Sequence, residues 1–463
     1  MSSAHAVQPL ASSFRDPSGF VFMKDGVPYR QVNHAYKEAY DLLMSSGLYA
    51  KLIEKGLMVP HVEKPLETKD PLTYKLLKPE PIPFITYPYE WSFSQLQDAA
   101  LLTLRIQRIA LRHGMSLKDA SAYNIQFIGH RPVLIDTLSF EIYPEGQPWV
   151  AYRQFCQHFL APLALMAKVD LHMGTLSQLH IDGIPLALAS HLLPKRTRLS
   201  IGIGAHLHLH ARSQNRHADA PSTSREYRLD KTRLLGVLQN LDATVASLKP
   251  IRQKTVWDDY YETTHNYSKG SLSEKEKLVS KWIAKITPGT VWDAGANDGT
   301  FSRLASATGA RTVASDIDPV AVERGYRLSR KQKDENLLSM IIDLTNPSPS
   351  IGWANQERPS FLERGRFDLA LCLALVHHLA IANNLPLDHI ARLFAGQAKH
   401  LIIEFVPKQD SNAQRLLSAR EDIFPGYEQD QFEKVFLRYF TILEQKTMKD
   451  TSRTLYLMKR KTA

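Results

Sequence analysis

The segment VWDAGANDGTFSRLA, residues 291–305, decides the fold that we expect for the second half of this chain. An apolar strand ends at Asp293, and a turn of small residues then leads into a helix. Gly295 and Gly299 allow the backbone to approach a ligand closely, and Asn297 is the residue that best replaces glycine in a left-handed conformation. The segment therefore predicts a strand, a tight ligand-binding turn and a helix, in that order.

Acidic residues also end the next two predicted strands. The strand RTVAS ends in Asp316, seventeen residues after Gly299, and an acid at this place can accept hydrogen bonds from both hydroxyls of a ribose. The strand SMIID ends in Asp343, which precedes Leu344 and is well placed to accept from the amino group of an adenine. The turn and the two acids, in this order, favour a nucleoside-binding site over an ordinary α/β domain whose acids only cap helices.

From residue 290 onward, short apolar runs alternate with helical patterns. The runs are TVWDAG, RTVASDID, SMIIDL, FDLALCL and HLIIEFV, and their alternation with helices is typical of a parallel sheet covered on both faces. A nicotinamide-binding domain has a similar sheet, but its fingerprint has glycine at the position of Asn297 and places a pyrophosphate on the helix N-terminus. Because Asp293 and Asp298 flank the turn, the site suits a sulfonium and an ammonium better than a pyrophosphate.

The motifs DAGANDG, SDIDP, IIDL and FDLALCLALVHHL resemble those of the class I S-adenosylmethionine-dependent methyltransferases, over about residues 255–463. The resemblance implies an α/β fold with a seven-stranded, mostly parallel, Rossmann-like sheet, whose final antiparallel hairpin comes from FTILEQK and TSRTLYLMKR. It assigns contacts with S-adenosylmethionine to seven residues, of which four hold the methionine part, one the ribose and two the adenine edge: Asp293, Gly295, Asn297, Gly299, Asp316, Asp343 and Leu344.

Two histidines follow the predicted fourth strand, where this fold faces the methyl group. His377 or His378 could take a proton from a hydroxyl or an ammonium, and the alternative is that one of them packs or caps the next helix. Residues 404–407 are a further candidate lining of the acceptor pocket. Three tyrosines upstream of the domain are candidates either for covering the cofactor or for packing: Tyr260, Tyr261 and Tyr267.

The tracts LALVHHLAIANNLPLDHI, IIEFVPKQD and AREDIF resemble a group of bacterial methyltransferases, some of which are called nodulation proteins. This resemblance points loosely to the modification of a saccharide or another cell-surface metabolite. We therefore expect transfer of a methyl group to an oxygen or nitrogen acceptor on a small molecule or a saccharide-type metabolite.

The first half of the chain begins with two strong local signals. GFVFMKDGVPYRQV predicts a β-hairpin with Asp25 and Gly26 at its turn. FSQLQDAALLTLRIQRIALRHG predicts an amphipathic helix that has Ser94 as its N-cap and stops at Gly114. The composition changes near residue 250, so residues 1–250 and 251–463 are predicted to form separate domains.

A second pattern lies in LKDASAYNIQFIGHRPVLIDTLSFE, which contains Asp119, Asn124 and Asp136. In kinase-type phosphotransferases an acid positions the hydroxyl, while an Asn and a further Asp hold magnesium. The spacing is similar to that of small-molecule kinases of the aminoglycoside phosphotransferase type, and this resemblance implies an α+β kinase-like domain with these three residues at its site.

The kinase pattern is incomplete. Residues 116–118 are Ser-Leu-Lys, where such kinases usually have a His-Gly or His-Arg pair, and the first hairpin lacks a glycine-rich loop. Three interpretations stay open. The domain is an active kinase that binds ATP and magnesium, or a degenerate kinase fold that recognises a substrate or partner, or a coincidental match made of turn and cap residues.

Composition excludes several other classes of protein. The chain has 463 residues, of which 44% are hydrophobic and 22% charged, as in ordinary globular proteins. Two cysteines, Cys156 and Cys372, exclude a disulfide framework and a four-thiolate zinc site. The N-terminus lacks the apolar core of a signal peptide, and no run of about 18 apolar residues predicts a membrane span. We expect a cytoplasmic protein.

The net charge of +10 is a weak excess, but residues 194–216 carry five Lys or Arg and no carboxylate. Such a segment can attract phosphate, and an RNA methyltransferase that uses it is one alternative function. A bifunctional kinase-methyltransferase is the other. His206, His208 and His210 lie in the same segment without a nearby carboxylate or cysteine, so we expect no metal site.

Overall fold

The computed structural model describes residues 8–65, 70–212, 229–252, 269–418 and 421–461. The chain divides into two compact units. The first consists of residues 1–252 together with residues 350–359, and the second consists of residues 253–349 and 360–463.

The first unit begins with a four-stranded antiparallel sheet. Its strands are β1 (Gly19–Lys24), β2 (Val27–Asn33), β3 (His61–Lys64) and β4 (Thr73–Pro79), in the spatial order β1-β2-β4-β3. Asp25 and Gly26 join the first two strands with φ angles of 53° and 75°. Two successive positive φ angles are what a two-residue hairpin turn requires, so the predicted hairpin is confirmed.

The described part of the first unit also contains four short strands and nine α-helices, together with short 3-10 and π-helical turns. The strands form two antiparallel pairs, β5 (Met115–Leu117) with β8 (Phe140–Ile142) and β6 (Ile125–Ile128) with β7 (Arg131–Leu134). The helices are α1 (Lys37–Ser45), α2 (Leu48–Glu54), α3 (Phe93–Arg112), α4 (Tyr152–Phe155), α5 (Ala161–Lys168), α6 (Leu176–Leu179), α7 (Leu186–Leu192), α8 (Ile201–Ile203) and α9 (Lys231–Ser247).

The central helix α3 starts earlier than its sequence suggested. Its N-cap is Ser92, whose hydroxyl accepts from the amide of Gln95 while the Gln95 side chain accepts from the amide of Ser92. This reciprocal pair is a capping box. Ser94, the predicted N-cap, lies inside the first turn, so that prediction is wrong.

The second unit is built on a seven-stranded sheet, which is parallel except for its final hairpin. The strands are β9 (Thr290–Ala294), β10 (Arg311–Asp316), β11 (Leu337–Ile341), β12 (Phe367–Cys372), β13 (Ala398–Phe405), β14 (Phe440–Thr447) and β15 (Thr454–Arg460). Their spatial order is β11-β10-β9-β12-β13-β15-β14, and β15 runs antiparallel to both β13 and β14.

Helices precede and connect the strands of this sheet. They are α10 (Lys269–Ile286), α11 (Thr300–Ser306), α12 (Pro319–Gln332), α13 (Phe361–Arg364), α14 (Leu387–Gln397), α15 (Ser411–Leu417) and α16 (Gln429–Phe436). A π-helical turn spans His378–Ala382 after β12. None of the helices in the described part of the chain is both long and apolar enough to cross a membrane.

The centre of the sheet is anchored by Trp292 of β9. Its side chain is fully buried, its indole N–H donates to Ser315 Oγ of β10 at 2.9 Å, and its ring contacts the rings of Phe361, Phe367 and Phe394. Burial of aromatic rings is among the largest hydrophobic contributions to stability. The residue therefore fixes the strand from which the predicted ligand-binding turn emerges.

The segment 350–359 leaves the second half of the chain and packs as part of the first unit. Its ends pair at Ile351 and Arg358. Glu357 accepts two hydrogen bonds from the Arg15 guanidinium, at 2.7 and 2.9 Å, and the Arg358 guanidinium lies 4.4 Å from the centre of the Tyr123 ring. An ion pair and a cation–π contact thus hold this excursion in place.

Candidate active site

A pocket with a volume of about 340 Å³ lies at the carboxyl ends of β9, β10, β11 and β12. At this edge the strand order reverses, because β9 has β10 on one side and β12 on the other. Ligands of open α/β sheets bind at such a reversal. Six of the seven residues predicted to contact the cofactor line the pocket: Asp293, Gly295, Asn297, Asp316, Asp343 and Leu344.

The turn after β9 has the left-handed backbone that its sequence predicts. The φ angles of Gly295, Asn297 and Gly299 are 72°, 51° and 83°. The amide of Gly295 donates to the carbonyl oxygen of Ser315 at 2.9 Å, and a Cβ at this position would lie 3.0 Å from a methyl carbon of Leu375. Both the positive φ angle and the nearby Leu375 side chain therefore favour glycine at residue 295. Gly299 serves as the N-cap of α11 and is outside the pocket lining.

The four amide groups of residues 297–300 are all engaged within the turn and the start of α11. The amide of Asn297 donates to Asp316 Oδ2 at 2.7 Å, and that of Asp298 donates to Asn297 Oδ1 at 2.8 Å. The amide of Gly299 donates to a carbonyl oxygen at 2.9 Å, and the next amide donates to Asp298 Oδ1 at 3.2 Å. Since a pyrophosphate at a helix N-terminus is bound by such amides, this geometry disfavours a dinucleotide.

Asp293 is buried and Asp316 is partly buried. Asp293 accepts from Ser302 Oγ at 2.6 Å, and Asp316 Oδ1 accepts from the amide of Asp318 at 2.9 Å. Burial raises the pKa of Asp293 to about 6, and the nearby charge of Asp316 adds to the rise. Burial likewise raises the pKa of Asp316 to about 6. Each carboxylate oxygen has a second lone pair, so both groups can still accept from a ligand.

The third carboxylate, Asp343, is partly exposed beside Leu344. Its Oδ1 accepts from the amide and the hydroxyl of Thr345, at 2.8 and 2.7 Å. The amide of Ile342 donates to the carbonyl oxygen of Asp316 at 2.8 Å. The tips of β10 and β11 are therefore joined by main-chain hydrogen bonding, which brings their acids to one side of the pocket.

The two histidines proposed as bases lie in different environments. Their ring centres are 4.1 Å apart. His378 lines the pocket, and burial, with the positive charges of Arg415 and Arg453, lowers its pKa to about 4. His377 is fully buried and does not line the pocket. Neither of its ring nitrogens has a hydrogen-bond partner among the described residues, and burial holds its pKa well below the usual value. Of the two, only His378 reaches the pocket.

Lys275 is a charged residue of the pocket that sequence reasoning missed. Lys275 of α10 lines the pocket, and its Nζ donates to Glu404 Oε2 at 2.7 Å. Glu404, predicted to line the acceptor pocket, is fully buried outside the lining, and burial raises its pKa to about 7. Buried ion pairs of this kind are costly to desolvate, so the pair points to a specific role.

In the first unit, the three residues of the kinase-like pattern lie close together. Ser139 Oγ donates to Asp136, and Asn124 Nδ2 donates to Ser139 Oγ at 3.2 Å. Asp119 accepts from a main-chain amide at 2.8 Å, and burial raises its pKa. Asp136 also pairs with the Arg30 guanidinium at 2.5 Å. The described part of the chain contains no group of three His, Cys, Asp or Glu residues arranged to hold a metal ion.

The histidines of the basic segment belong to the interior of the first unit. His206 contacts the Tyr152 hydroxyl and Asn240 Oδ1, each at 2.7 Å. His208 contacts two hydroxyl groups at 2.7 and 2.8 Å, and burial lowers the pKa of both histidines. His210 stacks on Tyr152, and burial lowers its pKa as well. Hydrogen bonding therefore explains His206 and His208 without a metal ion.

Two groups of predicted residues lie outside the described part of the chain. These are residues 213–216 of the basic segment and the three candidate tyrosines, Tyr260, Tyr261 and Tyr267.

No family model matches the sequence. The chain is 34% identical over 465 residues to the nodulation protein NoeA of Rhizobium meliloti (strain 1021), with 97% of this chain and 96% of that protein covered. Two solved structures are also similar. For the N-methyltransferase NodS from Bradyrhizobium japonicum WM9, the identity is 12%, the coverage 42% of this chain and 99% of NodS, and the TM-score 0.32. For the magnesium protoporphyrin IX methyltransferase ChlM from Synechocystis PCC 6803, the identity is 18%, the coverage 44% of this chain and 97% of ChlM, and the TM-score 0.32.

The chain belongs to the family of the nodulation protein NoeA. Its second unit has an α/β fold with a mixed seven-stranded sheet and a pocket at the carboxyl ends of the parallel strands.

Proposed function

We propose that this member of the NoeA family transfers the methyl group of S-adenosylmethionine to an oxygen or nitrogen acceptor on a small molecule or a saccharide-type metabolite. The observation that carries the proposal is the convergence of three acids on one pocket. Asp293, Asp316 and Asp343 follow or end three neighbouring parallel strands, and all three line the same cavity.

The chemistry of the pocket fits this cosubstrate. Carboxylates attract the sulfonium and ammonium groups, and they accept hydrogen bonds from ribose hydroxyls and from an adenine amino group. Gly295 itself carries no side chain and lines the pocket, so its backbone can approach a ligand closely. In keeping with the resemblance, we assign the methionine part to the turn, the ribose to Asp316, and the adenine edge to Asp343 with Leu344.

S-adenosylmethionine supplies a methyl group already activated by the sulfonium, so the main task of the chain is to position donor and acceptor. We assign to His378 the removal of the acceptor's proton. With a pKa of about 4, the ring is neutral near pH 7 and has a lone pair to accept a proton. It is a weak base, so its contribution is smaller than that of positioning. His377 lies against it and orients the ring.

For the first unit, we propose recognition of the acceptor by a kinase-like domain that does not transfer phosphate. The support is the ion pair between Arg30 and Asp136. In an active kinase, the acid at this place must hold magnesium, whereas here a guanidinium neutralises it. No contact in the described residues favours phosphate transfer or RNA binding.

The test has two stages. Calorimetry should first show binding of S-adenosylmethionine and S-adenosylhomocysteine but not of nicotinamide dinucleotides. Mass spectrometry should then detect a labelled methyl group on one of a panel of saccharides and small metabolites. Absence of nucleoside binding by the folded full chain, or tight binding of a dinucleotide, would contradict the proposal.

A further inference from the structure

The basic segment of the first unit contains the two most exposed large apolar side chains among the described residues. Leu199 and Ile201 are 89% and 83% exposed, and Leu209 is 59% exposed. Single apolar residues scattered over a surface are normal, whereas a group of them indicates a site of interaction. These three residues lie within eleven positions of the chain, so we treat them as a group.

A helical segment, residues 201–212, presents part of this group to solvent. Ile201, Ala205 and Leu209 are exposed, and their spacing of four residues places them on one face of the segment. A helix that is apolar on both faces is normally buried, so the exposed face of this segment calls for a partner. The opposite face is also largely apolar, and its buried residues include Ile203, Leu207 and Ala211. We call Leu199, Ile201, Ala205 and Leu209 the exposed aliphatic patch.

Cations precede and follow the exposed aliphatic patch in the chain. All four are exposed, and none forms an ion pair with another described residue: Lys195, Arg196, Arg198 and Arg212. Residues 183–212 contain no Asp or Glu that could neutralise them from within the segment. The surface around the patch is therefore positively charged and complements an anionic partner.

This combination of aliphatic side chains and unpaired cations fits the surface of a negatively charged lipid bilayer. Apolar side chains of such a surface enter the boundary between head groups and acyl chains, while Lys and Arg are attracted to the lipid phosphates. Single-stranded RNA is bound largely by stacking of its bases on aromatic rings, and protein interfaces are enriched in aromatic residues. Residues 183–212 contain no Phe, Trp or Tyr, so the bilayer is the partner that the composition favours.

We propose that the first unit binds the surface of an anionic lipid bilayer through the exposed aliphatic patch and the four cations beside it. Leu199 and Ile201 enter the boundary between head groups and acyl chains, and the cations contact lipid phosphates. The segment lies on the bilayer and does not cross it. This inference goes beyond the proposed function, because it concerns a surface of the first unit and not the reaction.

Flotation of the full chain with lipid vesicles tests the proposal. The wild-type chain should float with vesicles of equal parts phosphatidylglycerol and phosphatidylcholine, should not float with phosphatidylcholine alone, and should be released by salt. Leu199→Gln/Ile201→Gln should lower the partition constant at least about tenfold, because two aliphatic side chains no longer enter the bilayer. Arg196→Gln/Arg198→Gln should lower it roughly 30-fold, as expected for the loss of two cations near an anionic surface.

Two control variants separate the patch from general properties of the chain. Leu179→Gln is the matched apolar control, because Leu179 is 76% exposed in the same unit outside the patch. Lys277→Gln/Lys281→Gln removes two exposed cations from α10 and controls for net charge. Both variants should bind vesicles as the wild-type chain does. All substituted side chains are exposed, so each variant should keep the circular dichroism spectrum of the wild-type chain.

Three results would overturn the inference. The first is that the folded wild-type chain does not float with anionic vesicles. The second is flotation that Leu199→Gln/Ile201→Gln leaves unchanged, since only the general charge of the chain would then act. The third is self-association or RNA binding that this variant abolishes in the absence of vesicle binding, which would assign the patch to that partner. Flotation needs no cosubstrate, so its outcome is independent of whether S-adenosylmethionine binds.

Discussion

The affinity for S-adenosylmethionine should fall as the pH is lowered below 6. Asp293 and Asp316 line the pocket, and burial raises the pKa of each to about 6. A group of this pKa is about nine-tenths ionised at pH 7 and about one-tenth ionised at pH 5. A cationic ligand favours the ionised form, so binding below pH 6 must release protons.

The size of the change in affinity follows from these ionised fractions. Each carboxylate that must ionise weakens binding by up to about tenfold between pH 7 and pH 5, so the two together give up to about 100-fold. The ligand's own amino group titrates near pH 8, outside this window. Calorimetry in buffers of different ionisation enthalpy measures both the affinity and the protons released.

The variants Asp293→Asn and Asp316→Asn sharpen the measurement. Each should lose affinity at pH 7 and should also show a shallower pH dependence than the wild-type chain, because one of the two titrating groups is gone. A wild-type affinity that varies by less than about threefold between pH 5 and pH 7 would refute the reasoning, since neither carboxylate would then exchange a proton on binding.

Three further predictions concern single residues. Asp316→Asn should weaken S-adenosylmethionine binding at pH 7 by about 1–3 kcal/mol in calorimetry. Asp388→Asn, at a partly exposed carboxylate outside the pocket lining, should not, and equal effects would remove the ribose assignment. His378→Ala should lower turnover at saturating cosubstrate and leave the affinity for the cosubstrate nearly unchanged; unchanged turnover would leave catalysis to positioning alone. His377→Ala should lower the free energy of unfolding in urea by about 2–4 kcal/mol, because it empties a buried site. Asp136→Ala should destabilise the first unit by about 2–4 kcal/mol, because its arginine partner loses a largely buried ion pair. Calorimetry of the wild-type chain should show no binding heat with magnesium and ATP. Tight binding that Asp136→Ala abolishes would instead support the bifunctional hypothesis.

The features that sequence predicted well are those encoded by neighbouring residues. The turn after β9 depends on glycine and asparagine at fixed positions, and the hairpin depends on Asp25 and Gly26, so each carries its own conformational signal. The acids at the strand ends follow apolar runs directly. The N-cap of α3 at Ser92 could also have been predicted from the sequence, because Ser92 and Gln95 have the spacing of a capping box.

The features that sequence missed join distant parts of the chain. Lys275 and Glu404 are 129 residues apart. The neighbouring sequence of each predicts only an ordinary charged residue, on a helix for Lys275 and at a strand end for Glu404. Arg30 and Asp136 likewise belong to separate elements. Nothing local distinguishes a buried charge that has a distant partner from a solvated one, because burial is decided by tertiary packing.

The excursion of residues 350–359 affects how the protein can be made and divided. Because Arg15 pairs with Glu357, the first unit lacks part of its own packing until the ribosome has also made residues 350–359. Its folding therefore extends into synthesis of the second unit. A chain truncated at residue 252 would also lack this segment of the first unit. We therefore expect the first unit to be less stable when it is produced without the second half of the chain.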